Sequence, residues 1–183
     1  MPNQFLGDAE PLRRAVRFDL SNDHLYRHSM QLSMRTDYAL RAMFTLVEGE
    51  GKGPISIAEL ARRNDVPKRF LEHIMLDLKA RGWVSSVTGK RGGYRLAKSP
   101  ASITMGEIVR HFDGYLAPIS CVSVSGYRPC SQESTCRFRR LLLRARNMVA
   151  RLMDEATLAD VMKDEPVTAT EVSRIEGVDG DGI

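Results

Sequence analysis

The chain's three cysteines, Cys121, Cys130 and Cys136, all fall within a 16-residue stretch. Their spacing, C-x8-C-x5-C, lacks the C-x2-C pair of zinc ribbons and fingers, so the commonest zinc chemistry is disfavoured. An odd number cannot all pair within one chain. The first 30 residues interleave Asp8, Glu10, Asp19 and Asp23 with Arg13, Arg14, Arg17 and Arg27 and contain no apolar h-region, so a secretory signal is not expected. A cytoplasmic, reducing setting follows, and there cysteines serve as ligands or reactive thiols. Two chemistries fit: thiolate ligation of an iron-sulfur cluster, and thiol or disulfide switching without iron. Three unrelated buried thiols is the plain alternative, and their clustering in a Gly- and Pro-containing stretch speaks against it.

A cluster usually takes four protein ligands. The candidates for a fourth are Asp37, His73, His111, Glu133, or His24 and His28 near the start of the chain. A non-cysteine ligand exchanges more readily than a thiolate, which suits a sensor of iron status, oxygen or nitric oxide. Each candidate also has an ordinary explanation. An acid at a helix start, such as Asp37, is a favourable charge against the helix dipole, and a single histidine on a helix is commonly solvated or packed.

A second constellation is basic. Residues 55 to 98 carry ten Lys or Arg against four acids, whereas residues 164 to 183 carry six acids against Arg174 alone. The basic segment suits a polyanion, with nucleic acid the leading candidate. Lys68, Arg69, Glu72 and His73 share one predicted helix start, and Lys90 and Arg91 sit in the Gly-rich run Thr88–Gly93. Singly these are ordinary solvated charges. Their order along the chain gives them meaning, and that order depends on the elements that position them.

The first element is a helix over 33–48, with Leu40, Met43, Phe44 and Val47 at three- and four-residue steps, closed by the loop Gly49–Pro54. Ser56 and Glu59 have capping-box spacing and open a short helix to about Asn64. After a turn at Asp65-Val66, Pro67 suits the first position of a longer helix. That helix carries Phe70, Leu71, Ile74 and Leu78 inward and stops at Gly82. Two helices joined by such a turn make a helix-turn-helix, whose second helix presents its N-terminal residues to base edges in the major groove. Lys68 and Arg69 can then meet phosphate or guanine acceptors. Glu72 can accept from cytosine N4 or repel the backbone at wrong sites. Residues 83–87 and 94–97 form a hairpin wing, from whose tip Lys90 and Arg91 reach a flanking minor groove.

Thr104 and Glu107 open a further helix to about Phe112, and residues 114 to 136 form the cysteine loop. From about Ser134 to Glu155 the positions Phe138, Leu141, Leu142, Ala145, Met148, Val149, Leu152 and Met153 form an apolar stripe with arginines on the other faces. A small winged domain has difficulty covering so long a stripe, so a second copy is the economical partner. Thr157 caps a last short helix.

The expected fold is mainly α with a small β-hairpin wing: a winged helix-turn-helix domain plus a long dimerisation helix. Its parts are an N-terminal extension (1–29), the DNA-binding domain (30–113), the cysteine loop (114–136), the dimerisation helix with a short C-terminal helix (137–163), and an acidic tail expected to be disordered (164–183). No stretch is long and apolar enough to span a membrane. No P-loop, dinucleotide-binding glycine pattern, paired carboxylates or Ser/His/Asp set stands out, so no catalysis is expected. Three classes remain: a cluster-sensing transcription factor, an iron-free thiol-switch regulator, and an iron-sulfur carrier or electron-transfer protein.

The residues Thr36–Met43, Phe70-Leu71-Glu72, Gly82–Val87, Gly92–Leu96, the three-cysteine loop and Thr157–Asp160 together resemble the iron-sulfur winged-helix transcriptional regulators of the IscR, NsrR and RirA type, the Rrf-two family. The resemblance covers residues 30 to about 162. It implies a homodimeric repressor or dual regulator on a pseudopalindromic double-stranded DNA operator. The long helices would cross at the dimer interface and Cys121, Cys130 and Cys136 would hold a two- or four-iron cluster. Asp37 matches the position from which NsrR-like members supply a carboxylate across subunits. Glu72 matches the glutamate that sorts DNA sites in IscR-like members. This chain also departs from the pattern. Where IscR-like members carry a histidine ligand three residues after the third cysteine, it has Arg139, which stays protonated and cannot ligate. Thr88 replaces a wing arginine, and the first cysteine interval is longer than in IscR or NsrR, closer to RirA.

Overall fold

A computed structural model describes residues 30–172. Helix α1 (Met34–Glu48) opens on Ser33, whose side chain accepts the Thr36 N–H at 3.2 Å, and its inward face buries Ala39, Leu40, Ala42, Met43 and Leu46. Helix α2 (Ile57–Asn64) opens on Ser56, which caps the Glu59 N–H. The return bond expected from the Glu59 side chain is not made. Arg62 and Arg63, at 2.8 and 2.7 Å, take that carboxylate instead and hold its pKa at about 2. Charge-assisted bonds to two guanidinium groups outcompete one to a neutral amide.

Helix α3 (Lys68–Ala80) begins one residue later than expected, because Pro67 is its cap and not its first residue. Leu71, Ile74, Met75 and Leu78 face the core. Phe70, expected inward, is 44% exposed and packs edge-on against Tyr38 with ring centroids 5.7 Å apart. The inward arc of α3 is centred on positions 71, 74, 75 and 78, and Phe70 lies at its margin. Gly82, at φ +71, lets the chain leave the helix and enter the wing.

The wing pairs β1 (Val84–Val87) with β2 (Gly93–Leu96) antiparallel, Val84 opposite Leu96 and Val87 opposite Gly93. Ile55 and Tyr94 exchange backbone hydrogen bonds at 2.8 and 2.9 Å, tying the wing to the strand-like entry of α2. A Cβ at Gly93 would lie 2.3 Å from the Ile55 carbonyl oxygen, so this approach requires glycine.

Helix α4 (Met105–Phe112) carries the full Thr104–Glu107 capping box. The long helix α5 (Arg139–Glu155) starts five residues later than the pattern suggested, because residues 130–136 are taken up by turns. None of its residues is buried. Helix α6 (Leu158–Val161), grouped in sequence with the dimerisation helix, instead returns to the winged domain. Leu158 is fully buried in the same core as α1, α3 and α4, and its N–H donates to the Ile103 carbonyl at 2.9 Å. In the described part of the acidic tail Thr168 caps a single turn, α7 (Ala169–Val172). The N-terminal extension, with His24 and His28, lies outside the described residues.

Candidate nucleic-acid interface and cysteine loop

The N-terminal turn of α3 is open to solvent. Lys68, Arg69 and His73 are exposed, and Glu72 is half-buried, its carboxylate 3.7 Å from the Lys68 ammonium. His73 Nδ1 lies 3.0 Å from the Arg69 carbonyl oxygen. In the neutral ring Nδ1 therefore donates and Nε2 is left as the outward acceptor. Lys90 and Arg91 are exposed at the wing tip and line a cleft of about 470 Å³ with Lys52, Arg63 and Glu59. The sequence reading missed Lys52 and Arg63 as members of this basic surface. They come from the α1–α2 loop and the end of α2, and the Ile55–Tyr94 bridge ties the wing beside them.

Phe70 borders an apolar depression with Met34, Tyr38 and Pro67. His111 stacks edge-on against Trp83, with centroids 5.6 Å apart, and against Phe112 at 4.6 Å. Desolvation there, followed by the Arg81 charge, lowers its pKa. That environment accounts for His111 as a packed aromatic rather than a ligand. Asp37 lies in the first turn of α1, and within this chain its carboxylate is engaged by Arg41 at 2.8 Å.

Cys121 is buried, Cys136 partly buried and Cys130 exposed, and all three are free thiols. Cys121 and Cys136 line one cleft of about 540 Å³ with Tyr127, Glu133, Arg139 and Arg146 among its walls. Cys130 lies outside that lining, and among the described residues no three His, Cys, Asp or Glu side chains are gathered as a metal site. The donor chemistry suits an anionic thiolate-held group, because soft ligands border a cleft whose charged side chains are chiefly guanidinium groups. The gathering of all three sulfurs is not present in this single chain.

What holds the loop was not foreseen. Arg139 donates two hydrogen bonds to the Cys121 carbonyl, at 3.2 and 2.8 Å, and Arg146 donates one to the Val122 carbonyl at 2.7 Å. Seven residues apart, the two arginines share a face of α5, and that spacing was the available signal. At its other end α5 is tied to α4 by an ion pair between Arg110 and Asp154.

Comparison with known proteins agrees with this architecture. The family profile Rrf2, described as an iron-dependent transcriptional regulator, matches residues 32–164. The rrf2-like HTH-type transcriptional regulator of Rhodobacter capsulatus is 39% identical over 137 residues, 72% of this chain and 91% of the relative. The HTH-type transcriptional regulator NsrR of Geobacillus kaustophilus is 33% identical, over 74% of this chain and 91% of its own. Among solved structures, CymR, the global cysteine regulator of B. subtilis, superposes with a TM-score of 0.59 at 30% identity, covering 73% of this chain and 96% of CymR. IscR of T. potens gives 0.58 at 29%, covering 80% and 93%. The first three of these relatives are named as regulators. Among the described residues no helix is long and apolar enough to cross a membrane. The chain belongs to the Rrf2 family of winged helix-turn-helix transcriptional regulators.

Proposed function

We propose that this protein is a homodimeric repressor that reads a pseudopalindromic operator and senses iron, oxygen or nitric oxide status through an iron-sulfur cluster on its cysteine loop. The observation that carries the DNA-reading half is the joint exposure of Lys68, Arg69 and His73 at the start of α3 and of Lys90 and Arg91 at the wing tip. In this reading Arg69 and Lys68 meet guanine or phosphate, Glu72 sorts sites, and the wing pair enters the flanking minor groove. Cys121, Cys130 and Cys136 would hold the cluster, with Asp37 of the partner subunit as fourth ligand. When bound, the cluster supplies redox and ligand-loss chemistry. The chain's own contribution is to transmit the state of the loop. Arg139 and Arg146 fix the loop to the start of α5, and Arg110–Asp154 fixes the end of α5 to the winged domain.

A second reading is an iron-free thiol switch. The exposed free thiol of Cys130 supports it, and B. subtilis CymR, named as the global cysteine regulator, shares the fold.

The test selects binding sites from a pool of genomic duplexes and measures affinity against salt, alongside iron and acid-labile sulfide in anaerobically purified protein. Replacing Lys90 or Arg91 by alanine is expected to lower the slope of log K against log salt by about 1 each, whereas Arg69→Ala costs about 1–3 kcal/mol at one base position. Equal affinity for selected and random duplex overturns the DNA reading. Colourless protein that stays iron-free after reconstitution, with diamide-sensitive DNA binding, moves the sensing half to the thiol switch.

A further inference from the structure

Glu133 sits where the cysteine-bearing segments meet. Its Oε1 accepts the Cys130 backbone N–H at 3.2 Å, and its Oε2 accepts the Tyr127 hydroxyl at 2.9 Å and lies 3.4 Å from the Arg139 guanidinium. Arg139 in turn makes the forked contact to the Cys121 carbonyl. The Cys136 N–H is held at 2.8 Å by the carbonyl of Gln132, the residue preceding Glu133. The Glu133 and Arg139 side chains are only 20% and 32% exposed, so their pairing is better shielded from water than an ordinary surface ion pair. The Glu133 bond also raises the Tyr127 pKa, since ionising that hydroxyl would remove the donor and set a second negative charge beside the carboxylate.

We infer that Glu133 and Arg139 form a latch that positions the three cysteines, with Glu133 acting on the loop backbone and not as a ligand. This rests on the reading that the loop is the sensing site, and it adds a role for two residues outside the cysteine set. Arg139 thus stands where a ligand would be placed by resemblance, yet its fork reaches a main-chain oxygen. The planar guanidinium spans the Glu133 carboxylate and the Cys121 carbonyl together, which a lysine ammonium cannot do with the same fixed geometry.

The test uses the full chain with Cys130→Ser and Cys136→Ser, which leaves Cys121 as its only thiol. Neither replaced side chain belongs to the latch. A buried thiol is alkylated only through local opening, so its rate of reaction with iodoacetamide follows the open population. Glu133→Gln is expected to raise the rate about fivefold, the size of one net hydrogen bond, and Arg139→Gln by more, because it also loses the fork to the Cys121 carbonyl. The double variant should raise the rate by less than the product of the two singles, because the Glu133–Arg139 pairing is lost in both. The unfolding midpoint reported by Trp83 fluorescence should stay where it was. Unchanged rates, independent effects that multiply, or a Trp83 midpoint that falls with the rate would each overturn the latch.

A second arm keeps all three cysteines and follows iron release to a ferrous chelator after anaerobic reconstitution. Glu133→Gln should load as much iron as the parent and lose it about fivefold faster. Failure of Glu133→Gln to load iron while Arg139→Gln loads it would make Glu133 a ligand and overturn the inference. A parent chain that takes no iron defeats the cluster reading, and the alkylation rates still decide the latch.

Discussion

The uncovered stripe of α5 supplies a quantitative prediction. Phe138, Leu141, Met148 and Leu152 are 64 to 71% exposed, an arrangement at odds with their hydrophobicity unless a second surface covers them. Fully burying a leucine side chain contributes about 1.5–3 kcal/mol. About two-thirds of Leu152 is still available, so covering it in a dimer contributes about 1–2 kcal/mol, and a two-fold interface counts it twice. Leu152→Ala removes most of that apolar surface and is expected to weaken association by about 2–3 kcal/mol, a rise of roughly 30- to 150-fold in the dissociation constant. Sedimentation velocity over a concentration series reads this directly. Far-ultraviolet circular dichroism should show unchanged helix content, because Leu152 supports no core within the chain. Arg151→Ala, one residue off the stripe, is the control and should shift the constant by no more than about twofold. A parent chain that is monomeric throughout, or a constant that Leu152→Ala leaves unchanged, refutes the reasoning.

Two further outcomes test how the winged domain is held together. Leu158→Ala, at the return of the C-terminal helix to the core, should cost about 2–5 kcal/mol in urea unfolding followed by Trp83 fluorescence; an unmoved midpoint would mean α6 is dispensable. His111 is held below its ordinary value of 6.5 by packing against Trp83 and Phe112 and by the Arg81 charge. Between its folded and unfolded pKa values the unfolded chain binds more protons, so this contribution is full above about pH 6.5 and is lost as pH falls toward the folded value. His111→Gln should flatten stability between about pH 5 and pH 7; an equally steep acid limb in the variant would assign that limb to other groups.

Much of the winged domain was legible because its instructions are local. Ser56, Pro67, Gly82 and Thr104 mark helix ends through chemistry within a turn or two, and the periods of α1 and α3 follow from the 3.6-residue repeat. Where local reading failed, a competing partner was the reason. Glu59 had the right spacing for a box, but two arginines one turn further on bind it more strongly. Phe70 was apolar and in register to within one position, yet Tyr38 gave it a place outside the core.

The sequence by itself determined the order helix-turn-helix-wing, the exposed basic residues of α3 and the wing, the clustering of three cysteines in one loop and the apolar stripe of α5, since each depends on residue type and short-range spacing. Tertiary structure decided the rest. Lys52 and Arg63 joined the wing because a backbone bridge at Ile55 and Tyr94 closed over them, and Leu158 entered the core because the chain after α5 turns back onto Ile103. Arg139 could be excluded as a ligand from its protonation alone. That it instead grips the Cys121 carbonyl, 18 residues earlier in the chain, depends on where α5 lies against the loop, and no local spacing specifies that packing.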